Sequence, residues 1–143
     1  MARAASRSRD KYGVSPKAER TWRFKTYGSK AEMLYAQYLA DYAASVSLEY
    51  YVREQPVFEL GLPENRYVAD FLIYHGGSVH AIDVKGHETA KFKRDKKLWA
   101  RYGPVIDGNR VNLLVVVRRG STFVTKEIVP GPEPEAGGTD ANG

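Results

Sequence analysis

The chain has 143 residues, 43% of them hydrophobic and 27% charged, with a formal net charge of +5, the balance of one globular domain long enough to bury a core. It has no cysteine, which excludes a disulfide framework, a thiolate metal site and a cysteine nucleophile. Its longest apolar run, Leu113 to Val117, falls far short of the roughly 18 residues of a membrane helix, and no apolar segment follows Arg3, Arg7 and Arg9, so the sequence predicts a cytoplasmic protein with no secretory signal and no membrane partner.

The charge is unevenly spread. Residues 1–30 carry nine Lys and Arg against Asp10 and Glu19, whereas residues 127–143 carry Glu127, Glu133, Glu135 and Asp140 and no base. A basic arm of this kind suits a polyanion, either nucleic acid or an anionic membrane surface, or is a solvated tail. Residues 1–27 read as polar and aperiodic, and Trp22, Phe24 and Tyr27 in them either pin the stretch to the domain or meet bases. At Gly28-Ser29-Lys30-Ala31-Glu32 a helix is predicted to begin, with Ser29 as its cap and Glu32 at the capping-box position. Ala31, Leu34, Tyr35, Tyr38, Leu39 and Tyr42 then recur at helical spacing to about Ala44.

Strand-like pieces follow at Leu48 to Arg53 and Val57 to Leu60, and Gly61-Leu62-Pro63-Glu64-Asn65 turns the chain. Arg66 to Tyr74 and Val79 to Lys85 read as two strands joined by His75-Gly76-Gly77-Ser78, a hairpin signal. A second helix is predicted from about Glu88 to Tyr102, with Phe92, Leu98, Trp99 and Tyr102 on its apolar side and Gly103-Pro104 as its stop. Val111 to Val117 has the continuous apolar character of a strand buried on both faces, and Phe123 to Val129 is the last strand. The length from strand 79–85 through the helix to strand 111–117 suits a parallel crossover. The expected fold class is therefore α/β, a mixed sheet of about five strands flanked by helices. A partly disordered basic arm over 1–27, a single domain over 28–129 and a disordered acidic tail over 130–143 complete the expected organisation.

The hairpin carries the chemistry. A two-residue turn at Gly76-Gly77 pairs His75 with Ser78, and continuing that register sets Asp70 directly opposite Asp83. Directly opposed side chains have Cβ atoms roughly 4.5–5.5 Å apart on one face, and Lys85, two residues past Asp83, shares that face. Two carboxylates about 5 Å apart repel by about 3 kcal/mol at an effective dielectric of 20. Something positive should therefore sit between them, either Lys85 or a divalent cation; all-oxygen donors suit Mg²⁺ or Mn²⁺ and not zinc. The alternative is a structural Asp–Lys–Asp cluster. Of the three histidines, only His87 lies near this trio, and a bystander or phosphate-contact role suits it better than that of a general base.

Asp70 followed by Asp83-Val84-Lys85 on the next strand resembles the PD-(D/E)XK nuclease signature. Gly28-Ser29-Lys30-Ala31-Glu32 is similar to the helix-opening motif of the Holliday-junction resolvases in that superfamily. Gln55-Pro56-Val57-Phe58-Glu59-Leu60, Tyr67-Val68-Ala69-Asp70-Phe71 and Ile82-Asp83-Val84-Lys85-Gly86 together resemble small phage-encoded endonucleases related to these resolvases. The likeness runs from about Tyr27 to Gly120. Ala69 stands where the signature has Pro, Asp83 where Glu is commoner, and Met33 where resolvases often carry Arg.

The resemblance implies a restriction-endonuclease-like fold and phosphodiester hydrolysis, with Glu32, Asp70, Asp83 and Lys85 as catalytic residues. Asp70, Asp83 and the carbonyl of Val84 would hold Mg²⁺, for which Mn²⁺ substitutes, and Glu32 would complete that site or a second one; Glu32 equally fits a helix cap. The expected substrate is DNA, a four-way junction or other branched form, with linear duplex as an alternative substrate and non-catalytic nucleic-acid binding as the alternative of another class. Cutting both strands symmetrically would need a homodimer. Lys91, Lys93, Arg94, Lys96, Lys97 and Arg101 on the second helix outweigh Glu88 and Asp95 and either track phosphates or form a solvated face. The expected DNA contacts are Ser29, Lys30, Lys91, Lys93, Arg94 and Lys97.

Overall fold

The computed structural model describes residues 15–46, 50–75 and 77–134. The chain divides into two compact units, Met1–Ser47 and Leu48–Gly143.

In the first unit a 3₁₀ turn at Lys17–Arg20 leads into a two-stranded hairpin, β1 (Thr21–Trp22) and β2 (Lys25–Thr26), and then α1 (Lys30–Val46). The latter part of the stretch expected to be an aperiodic arm is thus regular structure; residues 1–14 lie outside the described residues. The start of α1 follows the sequence: the Glu32 amide donates to Ser29 Oγ at 3.0 Å, satisfying a first-turn donor the helix itself cannot reach. The buried side of α1 is rotated from the expected stripe. Tyr35 and Leu39 are buried with Glu32, Met33 and Ala36, while Tyr38 and Tyr42 are exposed. The two exposed tyrosines continue a row from buried Tyr35, Tyr35 to Tyr38 at 5.6 Å and Tyr38 to Tyr42 at 6.5 Å between ring centroids, as side chains three and four apart on a helix can.

The second unit contains β3 (Tyr50–Glu54), β4 (Val57–Glu59), β5 (Arg66–Val68), β6 (Phe71–His75), β7 (Ser78–Val84), α2 (Ala90–Tyr102), β8 (Val105–Ile106), β9 (Asn109–Arg110), β10 (Asn112–Arg119) and β11 (Thr122–Val129). The main sheet is mixed and five-stranded, in the order β11-β10-β7-β6-β3. Strand β7 is central, antiparallel to β6 and parallel to β10, so α2 lies on the expected parallel crossover. The β6–β7 register is the one read from the hairpin, His75 opposite Ser78 through to Phe71 opposite Ile82. The strand expected over 66–74 is broken at Ala69-Asp70: its first part, β5, pairs with β4 in a separate ribbon. A further small hairpin, β8–β9, lies between α2 and β10, where the sequence predicts no element. Among the described residues no helix is long and apolar enough to cross a membrane.

The core of this unit lies between the sheet and α2. Val79 and Ala81 of β7, Leu72 of β6 and Leu113 and Val115 of β10 pack with Phe92 and Trp99 of α2. Trp99 is fully buried. Its indole N–H donates to the Val111 carbonyl at 2.9 Å, so its polar atom is satisfied. Phe58 and Tyr67 meet the same indole edge-on at 5.0 and 5.9 Å. Alternation along β7 puts Asp83 on the face of Val79 and Ala81, at the carboxyl end of the central strand and beside the start of α2. In sheets with parallel crossovers this is the end at which ligands bind.

Candidate active site

Three backbone contacts build the end of the β6–β7 hairpin. The Asp70 amide donates to the Ile82 carbonyl at 3.0 Å, the Asp70 carbonyl accepts from Gln55, and the Ala69 amide donates to the Pro56 carbonyl at 3.1 Å. A proline at position 69 would lack the N–H that Ala69 gives to Pro56. On the other strand the Lys85 amide donates to the Val116 carbonyl at 2.8 Å, which keeps Lys85 pinned to β10 one residue beyond β7.

The side chains of the expected trio converge. Asp70 Oδ2 accepts the Val84 amide, next to Asp83 in the chain, at 2.8 Å. Lys85 Nζ lies 3.2 Å from Asp83 Oδ1, with the Asp83 side chain 4% exposed and that of Lys85 28%. The Lys85 ammonium also sits 4.5 Å from the centre of the Phe92 ring, a cation–π contact that aims it. The other Asp83 oxygen, Oδ2, accepts from the Tyr67 hydroxyl. Burial pushes the Asp83 carboxyl above the usual carboxylate range, and Lys85, Tyr67 and Asp70 pull it back only in part. Burial, then the charge of Asp83, holds the Tyr67 hydroxyl far above its ordinary range, so Tyr67 acts as a donor and not as a phenolate.

These groups open on a cleft of about 470 Å³ whose lining includes Tyr67, Asp83, Lys85, Thr89, Lys91 and Asp95, all of the Leu48–Gly143 unit. Thr89 caps α2 there, its hydroxyl accepting the Phe92 amide at 3.1 Å. Asp95 is a second buried carboxylate in the cleft, 3% exposed, with Lys91 Nζ at 2.7 Å.

The donor set fits a hard divalent cation. Asp70 and Asp83 could each offer carboxylate oxygens to such an ion, and the buried carboxylate of Asp83 faces the partly exposed ammonium of Lys85. Among the described residues no group of three or more His, Cys, Asp or Glu side chains is gathered for a metal, so a cation held by Asp70 and Asp83 would keep several waters, the usual habit of Mg²⁺. Val84 gives its amide to Asp70. Glu32 belongs to the first unit, where its carboxylate folds back over Gly28: a Cβ on Gly28 would come within 2.9 Å of Glu32 Oε1.

The expected DNA contacts are divided by their partners. Lys30, Lys93 and Lys97 are exposed. Ser29 serves as the α1 cap, Lys91 is ion-paired to Asp95, and Arg94 Nη2 donates to Asn65 Oδ1 at 2.7 Å. Lys96, counted with the basic face from sequence, is only 17% exposed and is held by Glu88 at 2.8 Å and Glu127 at 2.6 Å; it ties α2 to β11 instead of facing a ligand. Sequence reasoning passed over Tyr67 and Asp95 as members of the site. Asp95 carried a signal, an acid four residues after Lys91 in an otherwise basic helix; Tyr67 carried none beyond its place in the motif.

No curated protein and no solved structure matches the chain. The family model described as protein of unknown function (DUF1064) matches residues 9–113, a span that holds Asp70, Asp83, Lys85 and the whole of α2. The match covers more than half of the sequence, and the chain belongs to the DUF1064 family.

Proposed function

We propose that this protein is a metal-dependent endodeoxyribonuclease of PD-(D/E)XK type and restriction-endonuclease-like fold, hydrolysing phosphodiester bonds in branched DNA and resolving four-way junctions as a two-fold homodimer. The observation that carries this reading is the meeting of Asp70, Asp83 and Lys85 at the carboxyl end of the central strand, with Asp83 and Lys85 lining a cleft. Asp70 and Asp83 would hold the cation, which when bound supplies Lewis-acid polarisation of a phosphoryl oxygen and an activated water. The protein's own part is positional. The Val84 amide fixes Asp70, and the Tyr67 hydroxyl fixes Asp83 with its other oxygen toward Lys85. Lys85, braced on Phe92 and reaching the cleft, stabilises charge building on the phosphate. Exposed Lys93 and Lys97 on α2 bind flanking phosphates without reading sequence.

A second reading, a nucleic-acid-binding protein with a structural acidic pair, is favoured by one observation: both oxygens of Asp83 already have partners, Lys85 and Tyr67. Incubation with labelled four-way junction, fork and linear duplex, in Mg²⁺ or in EDTA, separates them. Cutting of the junction only, and only with metal, supports the proposal. Equal cutting of linear duplex replaces branched DNA with duplex as the substrate. Binding without cutting in both Mg²⁺ and Mn²⁺ leaves the second reading.

A further inference from the structure

The β1–β2 hairpin is not used by the site described above, and its tip is unusual. Thr21 pairs with Thr26 and Trp22 with Lys25, leaving a two-residue turn at Arg23-Phe24. Both turn residues have positive φ, 52° and 65°, the signature of a type I′ turn, which favours Asn, Asp and Gly because larger side chains are strained there. The same chain shows what an unconstrained turn of this kind looks like. The β8–β9 hairpin turns through Asp107-Gly108, also at positive φ, 52° and 78°, with the favoured residue pair. Arg and Phe at positions 23 and 24 are therefore not there for the turn.

The base of the hairpin is rigidly held. Arg20 donates to the Ser15 carbonyl at 2.9 Å and to the Tyr27 carbonyl at 2.6 Å. The Tyr27 amide returns to the Arg20 carbonyl at 2.9 Å, and the hydroxyls of Thr21 and Thr26 meet across the strands at 2.9 Å. This frame presents Phe24 fully exposed, at 105% of its reference area, between two cations. The Arg23 guanidinium lies 4.3 Å from the centre of the Trp22 ring, and Lys25 Nζ lies 4.9 Å from that of Tyr27.

We infer that the Trp22–Lys25 hairpin tip is a finger for unpaired or unstacked nucleic-acid bases, with Phe24 stacking on the base and Arg23 and Lys25 taking the phosphates on either side. Charge chooses the partner: from Lys17 to Lys30 the segment carries five Lys and Arg against Glu19 alone. A single protruding ring suffices to stack on a base or wedge a step, whereas attachment to a membrane scales with buried apolar area, and the tip offers one exposed ring. The inference concerns the first unit by itself and stands whether or not the cleft lined by Asp83 and Lys85 cuts DNA.

The test is binding of the full chain in EDTA, where no cleavage can intervene. The probes are a duplex with a two-nucleotide bulge carrying 2-aminopurine and the fully paired duplex of equal length. The wild type is expected to bind the bulged DNA more tightly and to change 2-aminopurine emission. The double variant Arg23→Asn, Phe24→Gly installs the favoured turn pair, so it should melt no lower than the wild type. It is expected to bind bulged DNA about tenfold or more weakly and to leave the emission unchanged. Phe24→Tyr, which keeps a ring, is expected to retain the emission change. Wild-type affinity for bulged DNA in the double variant overturns the inference. So does a double variant that keeps its DNA binding while losing binding to phosphatidylserine vesicles, which would assign the finger to membranes.

Discussion

The hydroxyl of Tyr67 donates to the carboxylate of Asp83, although Tyr67 stands on β5, which pairs with β4, and Asp83 on β7, which pairs with β6 and β10. The contact joins the two-stranded ribbon to the central strand at the mouth of the cleft. It also fixes which carboxylate oxygen faces Lys85.

Tyr67→Phe removes only that hydroxyl and leaves the ring against Phe92 and Trp99. Stability is expected to fall by about 1.5–3 kcal/mol, the range for a hydrogen bond to a charged group. Under the proposed function, cleavage is expected to fall about 10–100-fold, with more metal needed for half-maximal rate, because Tyr67 orients a metal-binding carboxylate. Titration of the cleavage rate with Mg²⁺ checks this. An unchanged metal requirement would make Tyr67 a packing residue.

The reach of Tyr67 to Asp83 marks where the sequence stops being legible. Two-residue alternation carried through a single strand over 66–74 puts Tyr67 and Asp70 on opposite faces. The break at Ala69-Asp70, where the Ala69 amide turns to Pro56 and the Asp70 amide to Ile82, escapes that rule. Asp70, Asp83 and Lys85 were legible because a short hairpin leaves one register, and a slip would have turned every side chain over. The hairpins at Arg23-Phe24 and Asp107-Gly108 were missed for opposite reasons. The first lacks turn residues altogether, and the second has a favoured pair but strands only two residues long on each side. The rotated face of α1 was missed because Tyr38 and Tyr42 stack on one another outside as readily as they would fill a core.

Lys96→Met tests the tie between α2 and β11. Lys96 holds Glu88 and Glu127, and Glu88 also meets Lys126 at 3.0 Å. Because two of the four side chains are 42% and 49% exposed, the loss is expected to be about 1–2 kcal/mol at neutral pH and smaller in high salt. Its pH dependence has a definite sign. Hydrogen bonding to Lys96 holds Glu88 below its ordinary value of 4.5, so its contribution is present above that value and fades as the pH falls through its lower folded value. Hydrogen bonding to Glu127 and Glu88 raises Lys96 above 10.5, so its contribution is present below that value and fades as the pH rises past its folded value. The gap in urea midpoint between wild type and Lys96→Met should be widest near neutrality and close toward acid.

Gly103→Ala tests the close approach at the end of α2. Gly103 donates to the Trp99 carbonyl at 2.8 Å, and a Cβ there would lie 2.7 Å from that same backbone oxygen. The oxygen cannot swing aside as a side chain would, so the variant is expected to lose about 1–3 kcal/mol. At Gly86 an added Cβ meets nothing within 4 Å, and Gly86→Ala is expected to stay within about 0.5 kcal/mol. Paired urea denaturation curves check both.

The central claim is that the buried carboxylate of Asp83 serves chemistry and not stability, and one measurement addresses it most directly: the rate at which purified Asp83→Asn cuts a labelled four-way junction in Mg²⁺, read against wild type with the urea midpoint of each. The account predicts a rate lower by about a thousandfold or more. It also predicts that the variant stays folded with a modestly lower midpoint, because Asn is nearly the same size and removes a charge that burial disfavours, but leaves one acceptor oxygen where Tyr67 and Lys85 used two. A variant that cuts at the wild-type rate, or a wild type that does not cut while the variant unfolds readily, would contradict it.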